Sequence, residues 1–140
     1  MVLVLTTGFL LAACSQDKPH SEPVFQQAWV RPMPPGMKMT AGFGTLLNPG
    51  SEDLVFISFS SPSFGDVSLH RTEQVDGVSK MREVHELELP AGESVKLEPG
   101  GYHLMLMMPA TEVVAGQVVS LSMTASGGQS FRFDVPVERR

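Results

Sequence analysis

Cysteine is almost missing from this sequence. Cys14 stands alone, so the chain can form no internal disulfide and can offer a metal no pair of thiolates. Basic charge is also scarce: 10 Lys and Arg stand against 15 Asp and Glu, for a formal net charge of −5, and no basic patch of useful size occurs, which excludes a nucleic-acid surface. No window sustains apolar residues at a 3.6-residue period with caps, so no helix is expected. Ser/His/Asp orderings, an HExxH pair, a phosphate-cradling glycine loop and clustered carboxylates of Ca(II)-site spacing are all lacking, which disfavours an enzyme and a calcium site.

What the chain does have is punctuation. Its 140 residues suit one domain, and 13 Gly and 11 Pro are spread along it with many Ser and Thr. Turn signals at NPG (48–50), SPSFGD (61–66), VDGV (75–78), PAG (90–92), EPGG (98–101) and SGG (126–128) recur between runs rich in β-branched and aromatic residues. The runs predict strands at 25–30, 41–47, 54–60, 67–74, 79–89, 94–97, 102–108, 117–124 and 131–137. Short strands at this spacing are the pattern of an all-β sandwich or barrel.

The N-terminus reads as a targeting segment. MVLVLTTGFLLAA (1–13) is apolar, too short to span a bilayer comfortably, and ends at small residues before Cys14. The alternative is a buried N-terminal strand with a free thiol. Leu11, Ala12, Ala13 and Cys14 resemble the lipobox of bacterial lipoproteins, which implies cleavage before Cys14 and its lipidation. On that resemblance, 1–13 is a signal peptide, 14–23 is the lipidated Cys with a flexible, Pro-containing tether, and 24–140 is the folded domain. Ser15 and Gln16 lack the Asp that retains such lipoproteins at the inner membrane, which favours a periplasmic protein anchored in the outer one.

The densest chemistry lies in GYHLMLMMP (101–109). Alternation along a strand puts Tyr102, Leu104, Leu106 and Met108 on one face, an ordinary core face, and His103, Met105 and Met107 on the other. A second group follows from Asp76-Gly77, a strong signal for a two-residue type I′ hairpin closed by Val75 and Val78. Counting outward pairs Gln74 with Ser79, Thr72 with Met81 and His70 with Glu83. His70 and Met81 thereby become diagonal neighbours roughly 7 Å apart. Two His/Met pairs suit Cu(I), a soft ion, better than Zn(II), Mg(II) or Ca(II). Thioethers also carry no proton and form no disulfide, an advantage in an oxidising compartment.

His70, ten residues, Met81, twenty-one residues, His103, one residue, Met105: this spacing resembles the H-x10-M-x21-H-x-M pattern of the periplasmic PCuAC copper chaperones. The resemblance runs over roughly 28–137 and includes AWVRP (28–32), SPSFGDVSLH (61–70), DGVSKM (76–81), LPAGESVKLEPGGYHLML (89–106) and VPV (135–137). It implies a cupredoxin-like, Ig-like Greek-key β-sandwich that binds one Cu(I) per chain through His70, Met81, His103 and Met105. It also implies delivery of that copper to a respiratory oxidase, at the CuA centre in particular, through an oxidase subunit or a second copper-insertion protein. Contact with the membrane would be through the lipid anchor only.

Duller readings stand beside these. A strand Met is most often a gap-filling core side chain, and Met108 and Met123 are expected in the core for that reason. Met107 shares the ligand face but lies outside the family pattern, and Met33, Met37 and Met39 in the Pro-rich stretch 31–39 are either an auxiliary copper-catching rim or a cover for the sandwich edge. His85 is expected at the surface and His20 in the tether. A blue-copper electron carrier needs a thiolate that the domain lacks. A periplasmic copper buffer or resistance protein, with no oxidase client, fits the same residues as a delivery protein does.

Overall fold

Residues 21–140 are described by a computed structural model, in which ten strands follow one another with no helix among the described residues. They are β1 (Val24–Val30), β2 (Met39–Leu47), β3 (Leu54–Ser60), β4 (Phe64–Val75), β5 (Val78–Glu83), β6 (Leu87–Leu89), β7 (Ser94–Leu97), β8 (Tyr102–Pro109), β9 (Val118–Ala125) and β10 (Ser130–Pro136). Their hydrogen-bonded path is β1-β2-β7-β8-β4-β3-β9-β10, with β5 added on β4 and β6 on β3.

The path has two narrow joints. β3 and β4 share the single pair Phe59 and Val67, and β1 meets the far end of the sheet through one parallel bridge between Val30 and Val137. The sheet therefore bends into two layers that nearly close on themselves, giving a cupredoxin-like β-sandwich. Between the layers lies one core, to which Leu46, Leu69, Leu104 and Leu106 contribute from one side and Phe56, Leu89, Leu121 and Val135 from the other. Strict alternation in β9, where buried Val119, Leu121, Met123 and Ala125 interleave with Ser120, Ser122 and Thr124, is what a strand with one wet face requires. Met123 is core, as expected.

The Asp76-Gly77 turn has φ of 52° and 75°, the two positive values a type I′ hairpin demands. The pairing follows: Val75 with Val78, Thr72 with Met81 and His70 with Glu83.

Two expectations fail. The run 79–89 is not one strand: β5 is exposed along its whole length and pairs only with β4, whereas Leu87 and Leu89 of β6 cross to the other layer and pair with β3. One continuous strand cannot be solvated at one end and buried in the opposite layer at the other, so the chain breaks after Glu83. His85 lies at that break, exposed. Met108 is not core. Its φ of 54° interrupts the alternation, and its side chain leaves Leu104 and Leu106 for the surface, where it is 60% exposed.

Candidate metal site on the outer face

β8 separates two environments. Leu104 and Leu106 point into the core with no exposed surface, so His103, Met105 and Met107 take the opposite, outer face of the same sheet. On that face the register aligns residues across four strands. Trp29 pairs with Phe43, and His70 pairs with His103. The result is a row of rings, Trp29, Phe43, His103 and His70, with successive centroids 4.8, 6.4 and 6.0 Å apart. The Arg31 guanidinium lies 5.3 Å from the centre of the Phe43 ring and that of Arg140 lies 5.5 Å from Trp29.

His103 is only 4% exposed despite facing outward. Its Nδ1 donates to the carbonyl oxygen of Gly101 at 3.1 Å, and a carbonyl can only accept, so Nδ1 carries the proton. In the neutral ring Nε2 is then a lone pair. It is buried with no hydrogen-bond partner, an arrangement that costs about 1–3 kcal/mol in a resting protein. A neutral imidazole whose second nitrogen is fixed by a carbonyl is also the form in which histidine ligates a metal.

His70 is half-buried, with Nε2 2.9 Å from the Ser68 hydroxyl. Burial lowers its pKa from the ordinary value, and the neighbouring His103 lowers it further, while Glu83 and Asp66 act in the opposite direction. The ring is held toward its neutral, metal-competent form.

The thioethers arrive diagonally to His70. Met105 is the register neighbour of Ser68, two residues before His70, and Met81 is that of Thr72, two residues after it. Met81, His103 and Met105 line one open pocket of about 400 Å³. His70 is not part of that lining, but its ring stacks on that of His103. The four residues singled out by spacing are thus contiguous on one face. Among the described residues no group of three or more His, Cys, Asp or Glu is placed to hold a metal.

The auxiliary candidates divide. Met37 and Met39 line the same pocket as Met105. Met33 turns away: its N–H donates to the Val113 carbonyl at 2.8 Å, its side chain packs on the core, and it borders an adjoining cavity with Pro109 and Val113, which Met37 also lines. Met107 is the register neighbour of both Met39 and Asp66, outside the pocket lining. Cys14 and His20 lie outside the described residues. Sequence reasoning missed Ser68, Gly101 and Phe43. For Ser68 and Gly101 the signal was a position two residues before His70 and His103; for Phe43, brought in from another strand, no local signal exists.

The family described as "Putative lipoprotein LpqE-like" matches residues 24–137. A protein of Leifsonia xyli subsp. xyli, named "Putative lipoprotein Lxx21020", is 34% identical over 113 residues, covering 80% of this chain and 67% of its own. The copper(I) form of DR1885 from Deinococcus radiodurans superimposes with a TM-score of 0.67 at 25% identity, over 91% of this chain and 84% of that one. The copper-bound PCuAC domain from PmoF2 gives a TM-score of 0.67 at 17% identity, over 84% of this chain and 93% of that one.

Proposed function

We propose, for a chain that belongs to the LpqE-like family and carries the fold of PCuAC domains, that it is a copper-binding metallochaperone and not an enzyme. The ion is its cargo. His70, Met81, His103 and Met105 hold one Cu(I) per chain, and the protein passes it on toward the CuA-type centre of a respiratory oxidase, to an oxidase subunit or a second copper-insertion protein. The observation that carries this reading is the unpartnered, buried Nε2 of His103 beneath a pocket that also presents the thioethers of Met81 and Met105. Imidazole nitrogen with thioether sulfur is a donor set for Cu(I). Transfer, rather than storage, is supported by Met81, which is 54% exposed on an exposed ribbon, where an incoming ligand can displace it.

The same reading takes residues 1–13 as a signal peptide, lipidated Cys14 as the start of a tether to residue 23, and 24–140 as the periplasmic domain, with the outer membrane as the anchoring surface. Mass spectrometry of the native protein tests this, and an unmodified Cys14 removes the anchor.

The central test is anaerobic titration with Cu(I) against a chromogenic chelator, combined with X-ray absorption. One equivalent with mixed nitrogen and sulfur ligation is expected; stoichiometric binding that survives loss of all four side chains overturns the assignment. Deleting the gene separates delivery from buffering. A delivery protein's loss lowers oxidase assembly under copper scarcity, whereas a buffer's loss leaves assembly intact and lowers copper tolerance.

A further inference from the structure

The Pro-rich stretch between β1 and β2 is tied down at each end. The Thr40 hydroxyl donates to the Arg31 carbonyl at 2.7 Å, closing the loop, and the Met33 N–H is bound to Val113. At the far side the Met108 N–H donates to the Lys38 carbonyl at 3.0 Å, and the Met37 N–H closes a turn onto Pro34 at 3.2 Å. A loop fixed in this way holds Met37 in a set position in the wall of the metal-site pocket, and Met39, the first residue of β2, stands in the same wall. Met37 is 53% exposed and Met39 is 46% exposed, whereas His103, in the same pocket, is 4% exposed.

Register gives the spacing. Met39 is the neighbour of Met107, and Ala41 is the neighbour of Met105 on the same pair of strands. Met39 and Met105 are therefore diagonal neighbours, about 7 Å apart, the same relation that joins His70 to Met81. The short side chain of Ala41 keeps the space between them open. Met39 is thus one thioether's reach from a proposed ligand, and Met37 lies further along the wall on the solvent side. Large apolar side chains this exposed and grouped on one pocket mark a binding surface more often than a packing one.

Resting on the copper reading above, we infer that Met37 and Met39 form a second, outer thioether station, at which a soft monovalent ion is captured and then handed inward to Met105 and His103. The step is ligand exchange: one sulfur–metal bond forms at Met105 as one breaks at Met39, the ion keeps its charge, and no electron or proton moves. Met33 lies outside the pocket lining, and so does Met107, although it is the direct register neighbour of Met39. Two neutral thioethers without an imidazole bind more weakly than the inner set, as a capture station requires if the ion is to move on.

The test uses the full chain labelled at its methionine methyl groups and titrated with Cu(I) under anaerobic conditions. The first equivalent is expected to move the Met81 and Met105 methyls, and ion beyond it those of Met37 and Met39, with Met33, Met108 and Met123 unmoved. Met37→Leu/Met39→Leu, a volume-conserving change at two exposed positions, is expected to keep the fold and slow loading by about tenfold, within the range over which association rates vary among variants of one site. Its equilibrium affinity for the first equivalent should stay within about twofold of the parent's. A normal first equivalent loaded at the parent rate by this variant overturns the outer station and leaves the copper reading standing. Movement of Met33 and Met108 together with Met37 and Met39 overturns it as well, since that is unselective binding. Failure of the parent to bind a first equivalent overturns both.

Discussion

His70 and His103 are direct cross-strand neighbours on β4 and β8, their rings stacked with centroids 6.0 Å apart and planes inclined by 29°. Two imidazoles brought this close with no carboxylate between them repel as cations and cooperate as neutral donors. One of them, moreover, has a nitrogen that nothing in the described protein satisfies. Neutral imidazole nitrogens of this kind are donors for a cation.

Replacing His103 by Phe should separate function from stability. The change forfeits the hydrogen bond to Gly101, about 1 kcal/mol, but removes a buried nitrogen whose lack of a partner costs about 1–3 kcal/mol. The apo-protein's melting temperature is expected not to fall, while Cu(I) affinity drops by at least about 100-fold, the upper end of what loss of a mere supporting residue costs. Calorimetry and chelator competition on one variant check both halves.

Acid should act on His70 through its depressed pKa. An unfolded chain takes up this proton near 6.5, and the folded one resists until lower pH. Between the folded value and 6.5 the unfolded state binds more protons, so stability is full above that window and declines as pH falls through it. NMR titration of the apo-protein should place the His70 midpoint below 6.5, and a midpoint above it would falsify the environment described for this ring.

The hairpin that carries Met81 depends on Gly77. Its φ of 75° suits glycine, and a β-branched side chain there is strained by about 1–2 kcal/mol even though nothing lies within 4 Å of the added Cβ. Because β5 is exposed along its length, Gly77→Val should fray the β4–β5 ribbon and leave the core intact. The expected readout is loss of amide protection in 78–83 with Cu(I) affinity about tenfold lower, an equilibrium change of about 1.4 kcal/mol.

Gly44 should be far less tolerant. A Cβ there would sit 2.6 Å from Cε2 of Phe25 and 2.8 Å from the Cα of Ala28, at a φ of 152°. Backbone cannot yield as a side-chain tip can, so Gly44→Ala is expected to cost about 3 kcal/mol or more, read by denaturant unfolding. Gly92→Ala, with open space around it, should cost about 1 kcal/mol.

Much of the candidate site's geometry was legible because its information is local. The spacing of His70, Met81, His103 and Met105 picks out the residues, and Asp76-Gly77 sets the β4–β5 register without reference to the rest of the chain. Alternation assigned Leu104 and Leu106 to the core and His103 and Met105 to the other face. Alternation also misassigned Met108, because one residue at positive φ cancels the rule from that point on. The single strand expected at 79–89 failed for a related reason: a run of strand-forming residues does not say which layer each part must join.

The sequence by itself determined the all-β architecture and the hairpin that places Met81 near His70, since turn chemistry and side-chain alternation act over a few residues. Only the tertiary structure decided that β4 lies beside β8 with His70 opposite His103, that His103 is buried with a free nitrogen, and that Met37 and Met39 share its pocket while Met33 and Met107 do not. Those choices depend on how strands distant in the chain pair so that Leu69, Leu104 and Leu106 meet in one core, and a one-residue slip would turn every one of these side chains to the opposite face.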